Sequence, residues 1–249
     1  MIASSLVERY VNGQCEQVWA ELHALGSAVR RLDHFDDGMA VARETMRRVR
    51  ANCQTLILRL ESLGWRFGYD WAIDLDEDDL ARTPTLLGEP VPPPVLDELE
   101  RRFGVMPLAL RAFYEIVGEV NFVGTPLKRR GWPTPEEGLD PLYLAGAADL
   151  TPGNRGPGTG RAPITPDALG KYWLGGVGEA YIDLPDRRVD APVLFDGGPL
   201  YLAGQRLTLV RYLRAALSGG GFLNFAPGSA WVGRPSDDLA TLIRDLLPV

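Results

Sequence analysis

Only two histidines and two cysteines stand among the 249 residues, and this bounds the chemistry open to the chain. A Ser/His/Asp or Cys/His nucleophile system must take its imidazole from His23 or His34. No Gly-x-Ser-x-Gly spacing accompanies either of them. A metal site built from several His and Cys ligands is almost excluded. Glu115 and Glu119 are four apart, and two carboxylates on one helix face can do acid/base work if one pKa is raised. Gly118 breaks the helix between them, so two exposed acids is the competing reading. Arg43, Arg47 and Arg50 recur at helical spacing beside Arg48 and would suit a phosphate or an acidic partner. Glu44 precedes Arg47 and Arg48 by three and four residues, which offers intrahelical pairing instead. The run Gly153 to Gly160 invites a phosphate-loop reading. No Gly-Lys-Ser/Thr comes after it and Pro157 removes one N–H, so it reads as a surface loop.

The net charge is -7, which argues against a non-specific nucleic-acid binder. Most of it has one address. Residues 73–95 hold six acids and one base, with Asp74, Asp76, Glu77, Asp78 and Asp79 as the dense run. Such a run either steers a basic protein partner or mimics nucleic acid, or else it keeps a linker solvated. Lys128 and Lys171 are the only lysines against 24 arginines, which reads as genomic composition bias. The first residues lack a basic stretch leading into an apolar run, and no apolar stretch reaches membrane length. A cytoplasmic protein with two reduced thiols, Cys15 and Cys53, is expected.

The elements that must position these groups begin with helices. Ser5 and Glu8 have capping-box spacing. Val7, Val11, Cys15, Val18, Leu22 and Leu25 then form one apolar stripe. Asp33 to Gly38 reads as a polar turn, with Asp36 or Asp37 capping a second helix. Its stripe runs Ala42, Met46, Val49, Cys53, Leu56, Leu60 and Leu63, closed by Gly64 as a C-terminal cap. Two such stripes joined by a short turn predict an N-terminal antiparallel helical hairpin. Trp65, Phe67, Tyr69 and Trp71 alternate as on a strand. They are either a stacking platform for bases or sugars, or rings that pin the hairpin to the next domain. Pro90 and Pro92 to Pro94 make the next stretch extended and stiff. The division is therefore 1–72 for the hairpin and its aromatic tail, 73–95 for an acidic, Pro-rich linker, and 96–249 for a second domain. There the spacing predicts helices at Val95 to Phe103, after Pro107, from Thr208 to Leu217 and from Ser236. Short strands are predicted at Val120 to Phe122, Leu142 to Leu144, Ala180 to Leu184, Val193 to Phe195 and Leu200 to Ala203. No crossover helices separate them, so the sheet should be mostly antiparallel and the class α+β.

Residues 99–104 (Leu-Glu-Arg-Arg-Phe-Gly), then Met106-Pro107-Leu108 and Leu110-Arg111-Ala112-Phe113-Tyr114, resemble the opening of the SUKH superfamily. Asp140-Pro141-Leu142, the stretch Tyr181 to Pro185, and Leu209 to Arg214 with Gly219 to Phe222 extend the resemblance over about residues 95–226. Met106-Pro107 stands where the family usually has Leu-Pro. Val117-Gly118 stands where it often has Asn-Gly. The resemblance implies a SUKH-like mostly antiparallel sheet with flanking helices, working by binding rather than catalysis, as in bacterial immunity proteins that occupy toxin domains.

On this reading the chain is a non-catalytic, cytoplasmic protein-binding module of immunity type, with no cofactor, no metal, no direct nucleic-acid contact and no membrane contact. Candidate contacts are Asp74, Asp76, Glu77, Asp78, Asp79, Trp132, Tyr143 and Trp173, since aromatic anchors and charge steering serve interfaces. The alternatives are a scaffold that forms homo-oligomers through the hairpin, a small-ligand binder, and an enzyme.

Overall fold

The computed structural model describes residues 4–67, 86–103, 106–126, 141–144, 146–147, 181–182, 192–194, 206–227 and 236–249. Helix α1 (Leu6–Val11) begins with the expected capping box. Ser5 Oγ accepts from Glu8 N at 3.2 Å, and Glu8 Oε2 accepts from Ser5 N at 3.1 Å. The predicted continuous first helix is broken, because Gly13 takes φ +95° and separates α1 from α2 (Cys15–Leu25). The apolar stripe is broken with it. Val11 is 55% exposed, whereas Cys15, Val18 and Leu22 are buried.

Helix α3 (Leu32–Ser62) starts earlier than the sequence suggests, directly after a 3-10 turn at Gly26–Arg30. Asp33 to Gly38 is therefore helical and not a turn. Asp37 does cap a helix, but a different one. Its carboxylate accepts from Leu6 N at 2.7 Å and Val7 N at 3.1 Å, placing negative charge at the start of α1. At the other end Gly64 takes φ +85° and closes α3 as expected.

The 31-residue α3 is the axis of the molecule. Its predicted stripe is fully buried from Ala42 to Leu60, and its last member, Leu63, is partly buried. That stripe does not close a self-contained hairpin. Among the described residues the most extensive helix–helix contact is α3 against α5 (Leu108–Ile116), and α3 also meets α6 (Leu209–Ser218) and α7 (Ser236–Ile243). One continuous core runs from Tyr10 to Val249, across both of the expected units.

Short strands complete a mixed, mainly helical α+β architecture. Strand β1 (Trp65–Phe67) pairs antiparallel with β3 (Gly124–Pro126), and β2 (Val120–Asn121) with β4 (Tyr143–Leu144). Strand β6 (Pro192–Leu194) lies between β5 (Tyr181–Ile182) and β7 (Arg206–Thr208), again antiparallel. Trp65 packs edge-on against Phe222 and Phe67 against Phe122. These two rings therefore pin the N-terminal helices to the rest of the chain. Tyr69 and Trp71 lie outside the described residues, as do Leu200 to Ala203.

The remaining described helix, α4 (Pro93–Phe103), opens within the proline run. Proline suits a first helical turn, where its missing N–H would have no partner anyway. Before α4, residues 86–91 lie along the end of α5. Gly88 N donates to Glu119 O, Asn121 N to Leu86 O, and Val91 N to Tyr114 O.

Cys15 and Cys53 are both free and buried. Burial pushes the Cys53 thiol up to about 12 and the Tyr10 phenol up to about 12. Both lie above the ordinary values of 9.0 for the thiol and 10.0 for the phenol. The stability held by these neutral groups is present in full below those ordinary values and is lost as pH rises toward 12. The urea midpoint is thus expected to stay level up to about pH 9 and to fall above it. Cys53→Ala should give a shallower fall between pH 9 and 11. A slope equal to that of the wild type would contradict the assignment.

Candidate functional site

The arginines that looked like an anion site are committed to holding the fold. Arg43 Nε donates to Glu115 at 2.8 Å, and Arg47 and Arg48 both pair with Glu44. Arg48 also donates to Pro248 O at 2.9 Å. Arg50 Nη1 donates to the carbonyls of Gly88, Ile116 and Val117 at 3.1, 3.0 and 3.0 Å. Arg59 reaches the carbonyls of Leu242 and Arg244 at the end of α7. Helix C-termini leave carbonyls without intrahelical partners and carry partial negative charge. A single guanidinium nitrogen, Nη1, serves three carbonyls at Arg50 and two at Arg59. Composition bias is therefore not the whole account of arginine use.

Glu115 is equally committed. It accepts from Arg43 and, at 3.2 Å, from Arg111 Nε. Arg111 also bonds Glu100 and Asp97, both at 2.8 Å. This network joins α3, α4 and α5. It places Glu115 between two guanidinium groups that use its acceptor oxygens.

Of the predicted contact residues, Asp74, Asp76, Glu77, Asp78, Asp79, Trp132 and Trp173 lie outside the described residues, as does the Gly153 to Gly160 loop. Tyr143 is described and has to be corrected. It is only 7% exposed, and its β4 neighbour Leu144 is buried as well. Its backbone N–H and C=O both meet the Tyr212 hydroxyl at 3.4 Å. It is a core residue and cannot anchor a partner on the outside.

The structure offers a different site, a cleft of about 520 Å³ between α2 and the start of α6. Glu16, Gln17, Trp19, Ala20 and His23 line one wall, and Thr208, Val210, Arg211 and Arg214 the other. Its volume falls within the range of ligand clefts, roughly 300–1,000 Å³. Local contacts fix its frame. Trp19 Nε1 donates to Thr45 Oγ1 on α3 at 3.1 Å, which holds the indole against the core. The Trp19 and His23 rings are 6.1 Å apart. Thr208 caps α6, its hydroxyl accepting from Arg211 N at 3.3 Å. Arg214 ties the two walls together through the Cys15 carbonyl at 3.2 Å and also reaches the backbone oxygen of Val249.

Glu16 and Arg211 differ from these committed charges. Both side chains are exposed at the cleft, on opposite walls. Neither has a hydrogen-bond or ion-pair partner among the described residues. An acid and a base are thus held apart across an open cleft, able to receive complementary charges. Of these residues only His23 stands out for chemistry in the sequence, where Thr208 to Arg214 read as part of a helix with no site assigned to them. Glu16, Gln17, Ala20 and His23 do form the polar face opposite the α2 stripe, but nothing in the spacing says which distant surface helix will face them.

Among the described residues no group of three or more His, Cys, Asp and Glu could hold a metal ion. Among them also, no helix is long and apolar enough to cross a membrane. No protein-family model, characterised protein or solved structure matches the chain.

Proposed function

We propose that the chain is a non-catalytic protein-binding module of immunity type, which neutralises a toxin domain by occupying it. The observation that supports this best is the open cleft between α2 and α6, with the uncommitted Glu16 and Arg211 on its walls. By contrast, Arg43, Arg48, Arg50 and Arg59 are spent on carbonyls and carboxylates within the chain. The SUKH-like sheet belongs to the same reading. Its support is the residue pattern over 95–226, together with antiparallel pairing in every described sheet. The stripe from Ala42 to Leu60 is buried inside the chain, which favours the immunity reading over a scaffold that self-associates through that stripe.

Co-expression with toxins encoded beside this gene tests the proposal. Rescue of growth, together with a complex that survives gel filtration, is the expected result. Failure to bind or rescue against every neighbouring toxin overturns it.

A further inference from the structure

We infer that the cleft between α2 and α6 recognises a mixed-charge segment of a partner chain, seating a cationic side chain on Glu16 and an anionic one on Arg211. This rests on the partner-binding reading and adds the chemistry of the bound segment.

Four observations carry it. Glu16 and Arg211 line the same cleft from different helices and do not pair with each other or with any described residue. Arg214, the other arginine of the lining, is tied to the backbone oxygens of Cys15 and Val249. Trp19, on the α2 wall, is held against α3 by its bond to Thr45. The α2 wall from Glu16 to His23 rises about 10 Å, the length of roughly three residues of extended chain. A short segment with a cation and an anion on one side can meet both walls. A segment bearing a single sign satisfies only one of them and leaves the other charge facing it unpaired.

Three blocked tripeptides test the inference on the full chain by nuclear magnetic resonance titration: lysine–alanine–glutamate, lysine–alanine–glutamine and glutamine–alanine–glutamate. The first should shift the backbone signals of Glu16, Ala20 and Arg211 and bind about threefold or more tightly than either single-charge peptide. Glu16→Gln should abolish only the preference for lysine, and Arg211→Gln only the preference for glutamate. Both side chains are exposed, so both variants should keep the wild-type circular dichroism spectrum. Equal affinity for all three peptides overturns the inference, as does a preference that survives both substitutions. A neighbouring toxin that binds the wild type and the Glu16→Arg, Arg211→Glu double variant equally well sinks the inference but leaves the partner-binding reading intact. A charge preference that persists while no toxin binds does the reverse.

Discussion

Gly118→Ala is expected to destabilise the protein by about 3 kcal/mol or more, through two effects that add. The first is backbone conformation. Gly118 takes φ +81°, a region that costs a residue with a Cβ roughly 1–2 kcal/mol. The second is space. A Cβ at this position would lie 2.2 Å from the Glu89 carbonyl oxygen and 2.8 Å from its carbon. Those are backbone atoms, so no side chain can swing away. The 86–91 segment would have to lift off the end of α5, breaking the bonds from Gly88 N to Glu119 O and from Val91 N to Tyr114 O. Gly13→Ala is the control. It carries a similar φ of +95° but nothing lies within 4 Å of the added Cβ, so only the conformational part should appear. Thermal unfolding of both variants reads the difference. Gly118→Ala should lower Tm by about 6–12 °C, and Gly13→Ala by less, about 2–8 °C. Equal losses would mean that the close approach at Glu89 has no energetic weight.

Arg50→Met should cost about 2–4 kcal/mol, because it leaves three carbonyls at the same crossing without their donor. Gly88 O, Ile116 O and Val117 O all converge on Arg50 Nη1. Two of them lie at the C-terminus of α5, where the negative end of the helix favours a cation. Methionine keeps most of the side-chain volume, so little of the loss comes from packing. Arg50→Lys should recover part of the stability, since its ammonium keeps the charge and three donors but ends one bond short of the Nη1 position. Urea unfolding measures all three, with the midpoint falling and the m-value unchanged. Arg50 and Gly118 act on one junction, so the double variant should lose less than the sum of the single losses. Strict additivity would show that the two residues hold separate structures.

Much of the helical content was legible in the sequence because its causes are local. Ser5 with Glu8, Thr208 before Arg211, and Gly64 after the last stripe residue each satisfy the ends of one helix with side chains or glycine a few residues away. The stripe from Ala42 to Leu60 marks a buried face whichever neighbour covers it. Where a local signal misleads, a distant partner has taken it over. Asp37 looks like the cap of its own helix. It caps α1 instead, 30 residues earlier. The arginines of α3 look like a surface cluster, yet the carbonyls they serve lie in α5, α7 and the 247–249 tail. Tyr143 looks like an anchor because it is an aromatic on a short strand, and nothing in the local spacing shows that the whole stretch from Leu142 to Leu144 is buried.

The sequence by itself determined the helical faces, their caps, the antiparallel pairing of short strands and the narrow chemistry allowed by two histidines and two cysteines. These arise from periodicity, capping and composition, which act over a few residues. Only the tertiary structure decided that α3 belongs to both halves of the chain and that Gly118 must pass under Glu89. Only it brought Glu16 and Arg211 to the two walls of one cleft. Those outcomes depend on contacts between residues far apart in the chain, and side-chain spacing along a single helix carries no record of what will be packed against it.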